Sequence, residues 1–149
     1  MSARFDSFEI LLVEDSPTDV LMTREALAQA KVANTLRVVE NGMDALAFLR
    51  RQERFTTAPR PDLILLDLNL PRKNGHEVLA EIKADDSLKR IPVVVLTTSK
   101  ADEDIFTAYG LHANCYITKP VDFQSFARVM QCIENFWLCV VTLPPPIQK

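Results

Sequence analysis

Residues 63–75 read LILLDLNLPRKNG, in which an acid, Asp67, ends a run of apolar residues. An unbroken apolar run of this length is typical of a strand that is covered on both faces, as in a parallel sheet. Open α/β sheets form their functional sites outside the carboxyl ends of the strands, where the residue after such a run would lie. The stretch therefore predicts a buried central strand with a candidate functional carboxylate at its end.

Short apolar segments of the same kind recur along the chain and indicate a sheet. With a fifth, weaker segment they predict five strands: Glu9–Val13, Leu36–Val39, Leu63–Leu66, Val93–Leu96 and Cys115–Thr118. Apolar residues at helical spacing follow and predict five helices, over 16–30, 42–53, 75–84, 100–110 and 122–137. This alternation, with right-handed crossovers, predicts a single α/β domain: a doubly wound five-stranded parallel sheet with helices on both faces.

Candidate capping residues precede the predicted helices and support their starts. An oxygen-bearing side chain that is followed three residues later by an acid satisfies backbone N–H groups at the start of a helix. Four such pairs are present: Ser16 and Asp19, Asn41 and Asp44, Asn74 and Glu77, and Ser99 and Asp102. Asp122 offers a fifth cap, and Pro17 occupies the first helical position that proline favours.

The chain has 149 residues, the usual size of one domain, and contains no internal repeat. The predicted organisation is an N-terminal arm over 1–8, one domain over 9–137, and a tail over 138–149 as a candidate part of a dimer interface. The connection over about 50–62 and the tail are expected to be irregular. The net charge of −3 gives no basic excess of the kind that nucleic-acid binding requires.

The cysteines and the N-terminus indicate the compartment. Three cysteines, Cys115, Cys132 and Cys139, have neither metal-site nor CxxC spacing, and an odd number cannot all pair within the chain. The N-terminal apolar run ends at Glu14 without a cationic segment before it, and no apolar stretch approaches the ~20 residues that span a bilayer. We therefore expect a cytoplasmic protein without a membrane partner.

Polar side chains follow four of the five predicted strands. They are Glu14 and Asp15, then Asp67, then Thr97 with Thr98, and then Lys119. Each alone could simply end its strand and cap the next turn, but the set at four strand ends favours one shared site. Acids that lie together repel one another unless a cation sits among them, and hard divalent cations such as Mg²⁺ or Mn²⁺ prefer oxygen ligands.

Asp67 stands alone on the central strand and is the predicted nucleophile of this site. A bound cation would bridge the acids to a phosphoryl group, while Lys119 balances the remaining negative charge and Thr97 donates a hydroxyl hydrogen bond. The backbone carbonyl of Asn69 is a further predicted metal ligand. The pattern is that of a site which receives a phosphoryl group on a carboxylate.

Four separated motifs, VEDSP, DLILLDLNLP with a following NG, VVVLTTS and YITKP, occur in this order. From about Glu9 to Trp137 the chain thereby resembles the receiver domains of two-component response regulators. The segments LDLNLPRKNG, LTTS, NCYITKP, FW and TLP further resemble small stand-alone regulators that are paired with bacterial and cyanobacterial phytochrome histidine kinases. The resemblance implies a flavodoxin-like, receiver-type fold and a Mg²⁺-dependent transfer of a phosphoryl group from a histidine kinase, a phytochrome by the narrower likeness.

The resemblance also implies roles for the matching residues. Glu14 and Asp15 match the acidic pair near Mg²⁺, and Asp67 matches the phospho-acceptor. The other matches are Thr97 as the switch hydroxyl, Tyr116 as the switch aromatic, Lys119 as the phosphate-contacting lysine and Pro120 as the cis-proline. The first acid of the pair is a glutamate, whose longer side chain would hold the metal through water. Movement of Thr97 toward the phosphoryl group would let Tyr116 rotate inward, which biases an existing equilibrium between two states.

The predicted fifth helix carries more apolar residues than one face of a sheet requires. Core packing accounts for most of them, and the alternative for the remainder is a surface that binds a second copy of the chain. We expect a homodimer through the fourth helix, fifth strand and fifth helix, with interface candidates at Phe126, Ile133, Phe136 and Trp137. The kinase is expected to bind around the first helix, whose outward face reads as polar, and the output is a contact with an unidentified downstream protein.

The strongest alternative is a haloacid dehalogenase-like phosphatase or phosphotransferase, which also uses a strand-end aspartate with Mg²⁺. Those enzymes need a second acid two residues after the nucleophile, and Asn69 occupies that position. We therefore predict a phospho-acceptor signalling protein, not an enzyme, with at most slow autodephosphorylation. A flavodoxin-like module with a bound cofactor is disfavoured, because the chain has three glycines and no glycine-rich phosphate-binding loop.

Overall fold

Strands and helices alternate over residues 8–97, as the sequence predicts. The computed structural model describes residues 8–28, 34–68, 70–97, 115–118 and 124, with Asn34, Thr97 and Cys115–Thr118 described by their backbone. The strands are β1 (Phe8–Val13), β2 (Asn34–Val39), β3 (Leu63–Asp67), β4 (Val93–Thr97) and β5 (Cys115–Thr118). The helices are α1 (Pro17–Ala28), α2 (Gly42–Arg50) and α3 (Gly75–Ala84), with a short 3₁₀ turn at Glu53–Phe55.

All five strands join one parallel sheet in the order β2-β1-β3-β4-β5, so the predicted sheet is confirmed. Val13 of β1 pairs with Leu66 of β3, and Asp67 pairs with Leu96 of β4. The strand order reverses between β1 and β3, and open α/β sheets form their binding crevice at such a point. The register therefore brings the residues that follow β1 next to Asp67.

Strand β3 is buried on both faces, which explains its unbroken apolar composition. Ile64 and Leu66 pack with buried residues of α2 and α3, whereas Leu63 and Leu65 pack with buried residues of α1. Full burial of one such side chain contributes about 1.5–3 kcal/mol relative to leaving it exposed. The central strand, and with it Asp67, is thus held from both sides.

Three of the predicted helix starts lie among the described residues, and each is capped as predicted. The capping oxygens accept the expected N–H groups: Ser16 from Asp19 at 3.3 Å, Asn41 from Asp44 at 2.8 Å, and Asn74 from Glu77 at 3.0 Å. The Glu77 carboxylate also accepts from the N–H of Asn74 at 3.1 Å, which completes a capping box. Helix α1 begins at Pro17, and the caps predicted at Ser99 and Asp122 lie outside the described residues.

The predicted helix over 42–53 is wrong at its C-terminal end, because α2 ends at Arg50. Arg51 has a left-handed backbone, with φ 57°, and its N–H donates to the carbonyl of Phe48 at 3.2 Å. The 3₁₀ turn then brings the ring of Phe55 to 5.4 Å from the ring of Phe48. This contact between two rings, which sequence spacing does not show, accompanies the early end of the helix.

Four of the five strands have boundaries that differ from the predicted ones by one or two residues, whereas β5 has the predicted bounds. Strand β2 begins at Asn34 rather than Leu36, because its backbone already pairs with β1 at Phe8. Strands β3 and β4 each continue one residue further, through Asp67 and Thr97. Backbone pairing thus extends into polar residues that an apolar pattern leaves out. The connection before β3 is irregular as predicted, apart from the 3₁₀ turn.

Helix α3 has the predicted bounds, and α1 lies within the predicted range over 16–30. The predicted helices over 100–110 and 122–137 lie outside the described residues, except for Gln124, which is helical and exposed. None of the helices that the structure describes is long and apolar enough to cross a membrane.

Candidate functional site

Three carboxylates meet at the carboxyl edge of the sheet, where β1 and β3 end. Glu14 and Asp15 directly follow β1, and Asp67 is the last residue of β3. One carboxylate oxygen of each residue lies within 4.8 Å of those of the other two. The structure thus brings together the three acids that the sequence predicts for one site, and we call them the acid cluster.

The members of the acid cluster differ in exposure. Glu14 and Asp67 are each 1% exposed, whereas Asp15 is exposed to solvent. The N–H of Ser16 donates to Oε2 of Glu14 at 3.2 Å, and the N–H of Glu14 donates to the carbonyl of Val39 at 3.0 Å. Buried carboxylates are unfavourable unless positive charge or hydrogen bonds compensate them. Two buried acids beside a third therefore favour a cation at this edge.

The donor set of the acid cluster suits a hard divalent cation. All three side chains offer carboxylate oxygens, the ligands that Mg²⁺ and Mn²⁺ prefer. Metal–oxygen distances near 2.1 Å place the oxygens around one Mg²⁺ up to about 4.2 Å apart. The oxygens of the acid cluster all lie within 4.8 Å of one another, which is close to this value, so a small side-chain adjustment is enough. The residues present fit the predicted metal.

The chain turns sharply after Asp67 and returns to it at Gly75. The N–H of Gly75 donates to the carbonyl of Leu68 at 3.0 Å. An added Cβ on Gly75 would lie 2.7 Å from the carbonyl oxygen of Asp67 and 2.7 Å from Cα of Leu68, closer than atoms in contact can come. Glycine is required here because α3 starts against the backbone of Asp67.

The remaining predicted site residues are described in part or lie outside the described residues. Thr97 ends β4 and pairs with Thr118 of β5, so its backbone lies at the same sheet edge as Asp67, and Tyr116 pairs with Val95. The others lie outside the described residues: Asn69, Lys119, Pro120, Phe126, Ile133, Phe136 and Trp137. Their roles, and the side-chain roles of Thr97 and Tyr116, stay predictions.

A cleft of about 400 Å³ lies between α2, the 3₁₀ turn and the segment before α3. Among its lining residues, Arg54 contacts Asp44 at 2.9 Å, and the carboxylate of Glu81 contacts both Arg50, at 3.2 Å, and Lys73. The hydrogen bond from Lys73 holds the pKa of Glu81 below its ordinary value, with partial burial opposing this and Arg50 adding to it. Sequence spacing gives no sign of this network, because Arg50 and Glu81 are 31 positions apart.

Most of the chain matches one known family. Residues 10–131 match the family model of the response regulator receiver domain. The chain belongs to the response regulator receiver family. This receiver is 51% identical over 135 residues to the response regulator Rcp1 of Synechocystis sp., with 91% of this chain and 92% of Rcp1 covered.

Two solved structures share the fold of this receiver and about half of its sequence. The phosphorylated cyanobacterial phytochrome response regulator RcpA is 52% identical, with 93% of this receiver and 99% of that chain covered and a TM-score of 0.75. The Mn²⁺-bound form of Rcp1 is 50% identical, with 92% and 99% covered and a TM-score of 0.74. The resemblance and the fold class that the sequence motifs predict are therefore confirmed. The matches give no support to the phosphatase alternative.

Proposed function

We propose that this receiver accepts a phosphoryl group from a histidine kinase onto Asp67, in a Mg²⁺-dependent reaction. The acid cluster is the observation that carries the proposal. Asp67 ends the central strand, is 1% exposed, and lies with a carboxylate oxygen within 4.8 Å of those of Glu14 and Asp15. Of the three acids it is the one on β3, and the other two follow the neighbouring strand, where they can share a cation with it.

Glu14, Asp15 and Asp67 would hold Mg²⁺ or Mn²⁺, with the backbone carbonyl of Asn69 as a further ligand. The Mn²⁺-bound structure of the relative Rcp1 supports this assignment. A bound divalent cation neutralises clustered acids and stabilises negative charge on phosphoryl oxygens as a Lewis acid. Glu14 has the longest side chain of the three and would act through a water molecule.

The reaction moves the phosphoryl group from a histidine nitrogen of the kinase to a carboxylate oxygen of Asp67. The P–N bond breaks as the O–P bond forms, and the histidine keeps the electron pair of the broken bond. Burial of Asp67 keeps bulk water away from its carboxylate. Lys119 and Thr97 are proposed to contact the phosphoryl oxygens, and Tyr116 is proposed to follow the movement of Thr97. A cis peptide bond is proposed before Pro120.

A phytochrome histidine kinase is the proposed phosphoryl donor. The likeness to RcpA, which is described as a cyanobacterial phytochrome response regulator, supports this choice. We place the kinase contact on α1, which begins next to the acid cluster. Its outward face is not wholly polar, contrary to the prediction, because Leu21 is 56% exposed and offers an apolar contact. Because such a kinase takes its phosphoryl group from ATP, the reaction is proposed to occur in the cytoplasm.

We also propose that the domain over 9–137 signals through protein contacts, without catalytic turnover, as a homodimer. The apolar surplus over 122–137 and in the tail over 138–149 supports a dimer. The proposed interface joins the fourth predicted helix and β5 to these residues: Phe126, Ile133, Phe136 and Trp137. Sedimentation at micromolar concentration, with and without phosphorylation, should show the dimer, and monomer alone in both states would contradict it.

Transfer of labelled phosphate from a phosphorylated histidine kinase tests the acceptor. We expect label on the wild type in Mg²⁺, and none in EDTA or on Asp67→Asn. The control Asp86→Asn changes an acid whose side chain is 95% exposed, and it should be labelled like the wild type. Label that survives Asp67→Asn contradicts the assignment. So does a wild type that neither several kinases, including a phytochrome, nor a small-molecule phosphodonor can label.

A further inference from the structure

The loop between Asp67 and α3 contains a strained turn. The N–H of Lys73 donates to the carbonyl of Pro71 at 2.7 Å, which closes a three-residue turn around Arg72. Arg72 has φ 68°, a left-handed conformation that residues other than glycine rarely adopt, and a three-residue turn with such a residue at its centre is strained. Such a conformation persists only where contacts with the surrounding structure hold it.

The backbone of Gly42, the first residue of α2, makes one of these contacts. Gly42 is buried, and an added Cβ would lie 1.9 Å from the carbonyl oxygen of Lys73 and 2.7 Å from its carbonyl carbon. No side chain fits in this gap, so helix and loop touch backbone to backbone. Alanine is ordinarily better than glycine in a helix by about 1 kcal/mol, and this contact is the physical reason for glycine here.

The side chain of Lys73 makes the second contact. Its Nζ donates a hydrogen bond to Oε2 of Glu81 in α3, and Oε1 of Glu81 accepts from Arg50 of α2 at 3.2 Å. Arg50 also lies 3.8 Å from the carboxylate of Asp85. The side chains of Lys73 and Glu81 are 25% and 34% exposed, so solvent screens this pair less than one on the open surface. One carboxylate thus joins the loop to both flanking helices.

Displacement of this turn would reach the acceptor residue. Helix α3 starts at Gly75, two residues after Lys73, and the N–H of Gly75 donates to the carbonyl of Leu68 at 3.0 Å. Gly75 also packs against the carbonyl of Asp67, where an added Cβ would lie 2.7 Å from the oxygen. Movement of the turn is therefore passed to the backbone of Asp67 through one residue and one close contact.

We propose that Gly42, Lys73 and Glu81 are positioning residues for the acid cluster. They hold the strained turn against α2 and α3, and through it they fix the carboxylate of Asp67 relative to the other two acids. The inference rests on the proposed metal-binding role of the acid cluster, because residues that orient a ligand affect how tightly the metal binds.

The test compares two lysines that each pair with a carboxylate. Lys73→Met breaks the pair with Glu81, and the control Lys89→Met breaks the surface pair with Asp86, whose atoms lie 3.0 Å apart. Both variants remove one positive charge and one ion pair, but only Lys73 belongs to the loop after the acceptor. Lys73→Arg keeps a cation at this position and serves as the rescue variant.

The first readout is the affinity for Mn²⁺, measured by titration calorimetry. Loss of one positive charge alone tightens the binding of a cation, whereas loss of positioning weakens it, so the sign of the change separates the two effects. We expect Lys73→Met to bind Mn²⁺ about 10-fold more weakly than the wild type, the lower end of the usual effect for residues that orient a metal ligand. Lys89→Met should bind equally or slightly more tightly, and Lys73→Arg should bind like the wild type. Equal affinity for the two methionine variants overturns the inference.

The second readout is amide hydrogen exchange at Lys73 and Gly75 in the metal-free protein. We expect faster exchange at both amides in Lys73→Met and unchanged exchange in Lys89→Met. A wild type that binds no Mn²⁺ would overturn the proposed function. In that case amide exchange alone would test whether Lys73 holds the turn, and unchanged exchange in Lys73→Met would overturn the inference. Gly42→Ala should shift both readouts in the same direction. If that variant does not fold, Lys73→Met carries the test.

Discussion

The two faces of the sheet stand in different relations to the acid cluster. On the face of α2 and α3, Lys73, Glu81 and Arg50 join both helices to the loop that follows the acceptor. On the face of α1, the helix begins next to the acid cluster and leaves Leu21 56% exposed. The faces therefore have different proposed roles: α2 and α3 would hold the site in place, and α1 would present it to a partner.

Truncation of a buried side chain on α3 should have the largest effect. Ile82 is fully buried, and Ile82→Ala is expected to lower the free energy of unfolding by about 2–5 kcal/mol, because it leaves a cavity in the core. On α1, Leu21→Ala should stay within about 0.5 kcal/mol, because this side chain is 56% exposed. Urea denaturation measures both values. Similar losses for the two variants would contradict the difference in burial between Ile82 and Leu21.

The exposed leucine on α1 should matter for transfer from the kinase. Leu21→Ala is expected to slow phosphotransfer from a phytochrome kinase by about 3- to 10-fold, since it removes about 1 kcal/mol of apolar contact. Labelling by a small-molecule phosphodonor should not change. Met43 of α2, which is 46% exposed, provides the control Met43→Ala. Equal slowing of phosphotransfer by both variants would contradict a kinase contact on α1.

The strained turn allows a stabilising substitution. Arg72→Gly is expected to raise the free energy of unfolding by up to about 1 kcal/mol, because glycine adopts a positive φ without steric strain. Arg90 is exposed and is not among the residues with positive φ, so Arg90→Gly should lower the same quantity by about 0.4–1 kcal/mol. Thermal or urea unfolding of both variants checks the sign. A loss for Arg72→Gly as large as that for Arg90→Gly would show that the turn is not strained.

The smallest expected effect is a loss of folding stability in acid, through the ion pairs that Glu81 makes between α2, α3 and the loop. The hydrogen bond from Lys73 lowers the pKa of Glu81 below its ordinary value of 4.5, so the folded state binds this proton less readily than the unfolded chain. The contribution is fully present above about pH 4.5 and is lost as the pH falls through the lowered pKa. Unfolding of the wild type and Glu81→Gln should therefore differ at pH 7 and converge once the pH lies below the lowered pKa of Glu81. A constant difference over this range would contradict the assignment.

The features that the sequence predicts correctly depend on local chemistry. Because β3 is buried on both faces, its sequence is an unbroken apolar run. The helix caps at Ser16, Asn41 and Asn74 can be predicted because their residue types are ones that commonly cap helices. Asp67 could be placed because a parallel sheet brings the ends of its strands to one edge. These inferences need no knowledge of which distant residues touch.

The features that the sequence does not predict depend on distant contacts. The end of α2 coincides with packing between Phe48 and Phe55, and the pair of Arg50 with Glu81 joins residues 31 positions apart. Gly42 did carry a signal, since a glycine opening a helix often means that another backbone lies close by. Which backbone this is becomes visible only in the folded structure.

At the opposite edge of the sheet, Asp62 ties the beginnings of β1 and β3 together. Its N–H donates to the carbonyl of Glu9 at 2.7 Å, and its carboxylate accepts from the N–H of Glu9 at 2.9 Å. The connection that leads to this edge passes through Thr56 and Thr57, both exposed. Labels and short insertions are best tolerated at exposed loop positions of this kind. A dye attached at Thr57 would therefore report on this regulator from an exposed loop that contributes no residue to the acid cluster.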